Sequence, residues 1–297
     1  MRATGGSERV TIATLIAADR LDERLLRAAL DRVSGARLAA WVEPGSAVDL
    51  DIAAPPAEVR AAYEGWEGVD AIAHPPGPRA KKLLVADMDS TMIGQECIDE
   101  LADYAGIKPQ IAAITERAMQ GELDFAAALR ERVALLGGLE ESAIGRCLAE
   151  RVRPNPGAAT LVRTMRARGA MTLLVSGGFT TFADPVGAML GFERVEANVL
   201  EASDGRLAGT VSGRIVDAAY KARALVDTRD SLGIEAAGVI AVGDGANDSL
   251  MIEAAGLGIA YRAKPALVAV ADARLDHHGL DALLWAQGIP RTEWIPG

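Results

Sequence analysis

The sequence predicts an α/β protein. Its main body is a doubly wound parallel sheet with a helical insertion, preceded by a small α+β region. Three observations carry this. Short apolar runs at 83–86, 171–175 and 239–242 alternate with helical patterns, as strands buried on both faces of a parallel sheet do. Each run stops at small or acidic residues, where ligands bind such sheets. The texture also changes at His74-Pro75-Pro76-Gly77-Pro78, which breaks regular structure and reads as a linker.

In chain order, residues 9–18 read as a strand, and 21–33 place leucines, alanines and Val33 at helical spacing. Residues 36–43 and 47–53 read as two further strands, and Pro55-Pro56 opens a segment with helical character. Residues 1–78 thus form a small α+β unit without a motif of evident chemistry. Residues 79–297 form the α/β core. After the strand at 83–86, residues 97–150 are mostly helical in pattern. A helix at 157–167 precedes the second buried strand, and residues 195–217 contain a hairpin around Asp204-Gly205. A helix at 219–232, the third buried strand and a fourth at 257–261 complete the pattern.

Composition narrows the function. Half of the 297 residues are hydrophobic, ample for a packed core. The formal charge of −10 argues against nucleic acid as a partner. No run approaches the roughly 18 apolar residues of a membrane span. Two cysteines, Cys97 and Cys147, fit a reduced, cytoplasmic chain. His74, His277 and His278 lie away from every motif, against Ser-His-Asp chemistry. No phosphate loop of the Gly-x4-Gly-Lys type occurs. Cys147-x5-Arg153 has the spacing of a thiol phosphatase loop but lacks its glycines and reads as a helix end.

The strand at 83–86 runs into Asp87-Met88-Asp89-Ser90-Thr91. Alternation along an extended chain lets Asp87 and Asp89 face one side, where two carboxylates call for a cation or a proton between them. A carboxylate beside Mg²⁺ is a competent nucleophile toward phosphorus, and a second can act as acid and then base. The third strand ends in Gly243-Asp244-Gly245-Ala246-Asn247-Asp248. Asp87, Asp244 and the carbonyl of Asp89 could ligate Mg²⁺, with Asn247 orienting substrate or water and Asp248 in the first turn of the next helix. Ser176-Gly177-Gly178 offers a hydroxyl and consecutive N–H groups as an anion nest. Lys221, one of five lysines against twenty-six arginines, could neutralise Asp87 and phosphate oxygens.

This set of four motifs, over about 80–297, resembles the haloacid dehalogenase superfamily of phosphatases. The Asp-x-Asp-Ser-Thr form is similar to its phosphoserine phosphatase branch; general members usually have Gly in place of Ser90. The segments 92–100, 119–125 and 129–136 resemble the flap and cap of that branch. The resemblance implies a helical cap inserted at about 94–155, with Met119 and Phe125 on its apolar closing surface. It implies Glu96 for a substrate ammonium and Arg132 for a substrate carboxylate, the two charged ends of O-phospho-L-serine. Ser176, Gly177, Lys221 and Asn247 would complete the substrate site, with Asp87, Asp89 and Asp244 at the metal. The implied reaction is Mg²⁺-dependent hydrolysis of that small molecule through an aspartyl-phosphate on Asp87, the last step of serine biosynthesis, with Asp89 as acid and base. A phosphotransferase to homoserine shares the same motifs. Residues 1–78 resemble an incomplete amino-acid-binding (ACT-like) fold, and a homodimer is left open.

Overall fold

A computed structural model describes residues 10–75, 77–119 and 122–297, without the side chain of Met119. The N-terminal unit runs β1 (Thr11–Ile16), α1 (Glu23–Arg32), β2 (Arg37–Glu43), β3 (Ala47–Ile52), α2 (Pro56–Tyr63) and β4 (Asp70–Ala73). Its strands form an antiparallel sheet in the order β2-β3-β1-β4, the split βαβ arrangement. Asp22 caps α1 by accepting from Leu25 N–H at 2.7 Å. β4 makes complete a pattern that the sequence had left one strand short.

The core begins with β5 (Leu83–Ala86), every residue of it buried. An insertion then supplies α3 (Cys97–Tyr104), α4 (Lys108–Met119), α5 (Phe125–Leu135) and α6 (Ser142–Arg151). The chain leaves and returns side by side: Ile93 bridges Pro154, and Asn155 N–H donates to the Met92 carbonyl at 2.9 Å. Next come α7 (Ala158–Ala167), β6 (Met171–Phe179), α8 (Thr180–Leu190), β7 (Arg194–Ser203), β8 (Arg206–Ser212) and α9 (Ala218–Ser231). β9 (Val239–Gly243), α10 (Ser249–Ala254), β10 (Leu257–Tyr261), α11 (Pro265–Val268), β11 (Ala273–Leu275) and α12 (Ala282–Ala286) finish the fold.

The core sheet has the order β11-β10-β9-β5-β6-β7-β8 and is parallel except for the β7–β8 hairpin. That hairpin turns at Asp204 and Gly205, both at positive φ, the turn that matches strand twist. Two apolar clusters cover the sheet. One, around Leu84, Leu174 and Ile240, continues into the inserted helices; the other, around Val85, Val175 and Ala241, packs under α9 and α10. The sheet orders β9, β5 and β6 side by side, so the three motif-bearing strand ends lie together.

The stretch after β4 is not a loose connection. His74 is buried, and its Nε2 lies 2.9 Å from Thr14 Oγ1. Arg79 pairs with Asp49 and donates to the carbonyl of Ala286 at 2.9 Å. Asp70 accepts from the N–H groups of Asp276, His277 and His278. No helix among the described residues is long and apolar enough to cross a membrane.

Candidate active site

β5 delivers Asp87 at its carboxyl end, 4 % exposed. Asp87 Oδ1 accepts from Met88 N–H at 2.7 Å and from Lys221 Nζ at 2.7 Å. The chain then turns tightly: Asp89 is extended and Ser90 is left-handed at φ 56°. The resemblance noted from sequence expects Gly more often at this position, and the left-handed backbone is one that suits it. The turn sends the Ser90 hydroxyl to Glu96 Oε1 at 2.7 Å. It also leaves Asp89 Oδ2 accepting from Cys97 N–H at 3.1 Å, at the start of α3. Asp89 Oδ1 is buried with no hydrogen-bond partner.

β9 delivers Asp244, whose Oδ1 receives the Thr91 hydroxyl at 3.4 Å. Asp248, in the turn after β9, folds back. Its Oδ2 accepts from the N–H groups of Asp244 and Gly245 at 3.2 and 3.3 Å, and its Oδ1 meets Lys221 Nζ at 2.7 Å. A Cβ on Gly243 would stand 2.5 Å from Asp248 Oδ2, so only glycine admits that carboxylate. Lys221, fully buried on α9, is therefore shared between Asp87 and Asp248. Asp217 sets the start of α9 by accepting from Tyr220 N–H at 2.8 Å.

Charge is concentrated and unbalanced here. Burial raises Asp87 well above the usual carboxylate range, and neighbouring Asp248 adds to this against the pull of Lys221. Burial and Asp248 raise Asp244 to about 6, opposed by Lys264. Burial and Glu96 raise Asp89 to about 7. Burial lowers Lys221, yet Asp248 and Asp87 outweigh it and hold the ammonium charged. Oxygens of Asp87, Asp244 and Asp248 all lie within 4.8 Å of one another. Three buried carboxylates against one ammonium form an all-oxygen donor set with surplus negative charge, which fits a hard divalent cation.

A cavity of about 140 Å³ opens over these groups. Asp87, Asp89 and Asp244 line it, together with Ser176, Gly177, Glu96, Arg132 and Asn247. Lys221 lies behind Asp87. Phe125, from the first turn of α5, closes the apolar side; a Cβ on Gly177 would come within 3.2 Å of its ring. Burial lowers the Arg132 guanidinium, opposed by Asp99 and Glu96. Gln120 and Gly121 of the cap pattern, and the side chain of Met119, lie outside the described residues.

The bend at 176–178 uses one N–H of the expected nest locally. β6 continues through it to Phe179, and Gly178 N–H donates to Ser176 Oγ at 2.9 Å. That N–H is engaged by its neighbour, which leaves the Ser176 hydroxyl and the Gly177 N–H of this bend for a ligand. Two contributors were missed by sequence reasoning. Asp248 was placed only in a helical turn, although its spacing of four from Asp244 allows it to fold back. Lys264 also lines the cavity, with Nζ 3.7 Å from Asp244 Oδ2, and no motif in the sequence marks it.

Residues 84–253 match the haloacid dehalogenase-like hydrolase family. The phosphoserine phosphatase SerB2 of Mycobacterium tuberculosis is 46% identical over 263 residues, covering 88% of this chain and 63% of that protein. A phosphoserine phosphatase of Albidiferax ferrireducens is 47% identical over 208 residues, covering 68% of this chain and 88% of that one. The solved structure of a substrate-bound phosphoserine phosphatase complex superposes with TM-score 0.64 at 36% identity, covering 69% of this chain and 97% of that chain. The chain spans between about half and two thirds of the length of several curated relatives it matches.

Proposed function

This chain belongs to the haloacid dehalogenase-like hydrolase family, and from that premise we propose that it hydrolyses O-phospho-L-serine to L-serine and orthophosphate. One observation carries the choice of substrate: Glu96 and Arg132 line the same cavity as Asp87 and Asp89. A carboxylate for the ammonium and a guanidinium fork for the carboxylate answer both ends of an amino acid whose phosphate reaches Asp87. The names of the matched relatives support the same reading.

The chemistry follows from the geometry. Asp87 Oδ1 is tied to Lys221 and Met88 N–H, which leaves Oδ2 for phosphorus. Oδ2 attacks in line, an Asp87 acyl phosphate forms, and the bond from phosphorus to the serine oxygen breaks. Asp89, raised to about 7 by burial and Glu96 and so able to carry a proton near neutrality, gives that oxygen its proton. Water then attacks the same phosphorus; Asp89 takes its proton, and Asp87 is restored as orthophosphate leaves. Lys221 and the Ser176 hydroxyl hold charge on the phosphoryl oxygens. Asp87, Asp244 and the Asp89 carbonyl would hold Mg²⁺, with Asp248 beside them, and the ion would supply charge neutralisation on the phosphoryl group. In this reading residues 94–155 act as a cap that excludes water, and residues 1–78 as a separate appended unit.

The test is phosphate release from L-phosphoserine, with Mg²⁺ and with a chelator, beside D-phosphoserine, phosphothreonine and phosphoethanolamine, and with homoserine added as an acceptor. Turnover is expected with L-phosphoserine, Mg²⁺-dependent, with release into water. Preference for phosphoethanolamine would overturn the role of Arg132, and phosphohomoserine as main product would make the chain a transferase.

A further inference from the structure

We propose that Asn198, outside the metal group, is a positioning residue that sets the Ser176 hydroxyl and the start of the Lys221 helix with one buried amide. Asn198 lies on β7 and is 2 % exposed. Its Nδ2 donates to the Gly177 carbonyl at 2.8 Å, and its Oδ1 accepts from Val216 N–H at 2.9 Å. The partners fix the amide's orientation, because a flipped group would set N–H against N–H and oxygen against oxygen. Nothing in a β-strand requires this. β7 pairs Asn198 with Phe179, across a break in the β6–β7 register that spans Ser176 to Gly178.

The two bonds reach different parts of the site. The peptide unit whose carbonyl accepts from Asn198 donates its N–H, that of Gly178, to Ser176 Oγ. The order is Asn198 amide, Gly177–Gly178 peptide, Ser176 oxygen. Ser176 Oγ accepts that N–H, so its own proton is available to donate to a phosphate oxygen, and each bond polarises the next. The second bond holds Val216, next to Asp217, the cap of α9, four residues before Lys221. The Val216 carbonyl and the Phe125 ring also flank Gly177. One side chain thus ties together the phosphate-facing bend and the helix that supplies the ammonium. This rests on the phosphatase reading for its kinetic arm only.

The experiment compares the full chain with Asn198→Ala, Asn198→Asp, Ser176→Ala and the Ser176→Ala/Asn198→Ala pair, with Leu283→Ala as a core-destabilised control. Each is assayed in Mg²⁺ at a temperature where circular dichroism shows it folded. Readouts are orthophosphate affinity by calorimetry and kcat and KM for L-phosphoserine. Asn198→Ala is expected to lose at least about tenfold in both orthophosphate affinity and kcat, and to lose several-fold less when Ser176 is already Ala. Asn198→Asp, isosteric but unable to donate to Gly177, is expected to lose similarly, while Leu283→Ala keeps both values. Wild-type affinity and kcat in folded Asn198→Ala, or equal losses with and without the Ser176 hydroxyl, would overturn the proposal. If Asn198→Ala does not fold, Asn198→Asp decides by the same readouts. If the wild type does not turn over L-phosphoserine, the functional reading falls, and the orthophosphate affinities still decide the role of Asn198.

Discussion

Asp87 and Arg132 show how two residues in one cavity differ in what their loss would do. In the proposed reaction Asp87 forms the bond to phosphorus, so Asp87→Asn should cut kcat by about a thousandfold or more and abolish phosphoenzyme, while Tm stays near that of the wild type. Retained turnover in purified, folded protein would remove it as the nucleophile. In the same proposal Arg132 meets only the amino-acid end. Arg132→Ala should raise KM for L-phosphoserine by about ten- to a hundredfold and barely change KM for p-nitrophenyl phosphate. Equal effects on both substrates would make it structural. Ser90 sits between these cases: its hydroxyl orients Glu96. Ser90→Gly should therefore keep kcat with p-nitrophenyl phosphate and raise KM for L-phosphoserine several-fold. The residues that sequence revealed were those whose neighbours announce them, an acid after an apolar strand or a glycine beside an acid. Asp248 and Asn198 were not legible. Their roles depend on which backbone groups the fold brings to them, and no local pattern encodes that.

At the scale of elements, the long buried strands were readable because four or five consecutive apolar residues leave little choice of environment. The missed strands, β4 and β11, have four and three residues. β4 also opens with Asp70, a residue that disfavours strands. It is tolerated because Asp70 pairs with His278 and takes N–H groups from the chain after β11. Burial raises Asp70, but those bonds outweigh it and hold its carboxyl below the usual range. A strand held by contacts some two hundred residues away gives no local signal. The β7–β8 turn is the opposite case, since Asp204-Gly205 is a signal in two residues. Gly205 has φ 73° and nothing within 4 Å of an added Cβ. Gly205→Ala should therefore lower stability by about 1 kcal/mol through backbone strain alone, read as a lower Tm with unchanged kinetics. A loss several times larger would mean that the strain also breaks the bond from Glu141 N–H to the Gly205 carbonyl.

For the whole molecule, the seam between the antiparallel sheet and the core should register in the pH dependence of stability. His74 is buried there, and burial, aided by Arg79 and Lys81, lowers it to about 3. The Thr14 hydroxyl donates to Asp49 at 2.8 Å, so His74 Nε2 carries the proton and donates to Thr14. Above the ordinary histidine pKa of about 6.5 the ring is neutral whether folded or not, and its contribution is fully present. As pH falls from about 6.5 toward 3, only the unfolded chain takes up this proton, and the contribution is lost. The site carboxylates work in the other direction. Asp89 and Asp244 are raised to about 7 and 6, so without a cation they cost stability as pH rises from about 4 to 7. A hard cation would remove that cost. The two effects separate by experiment. In chelator, Tm is followed between pH 7.5 and 4.5 for the wild type and His74→Gln. The variant should be the less stable at pH 7.5, because it loses a packed, bonded ring, and the gap should narrow as pH falls. Parallel curves would show that His74 does not stay neutral in the seam. Adding Mg²⁺ should raise Tm of both proteins at pH 7.5 by similar amounts, because the seam and the metal group do not touch.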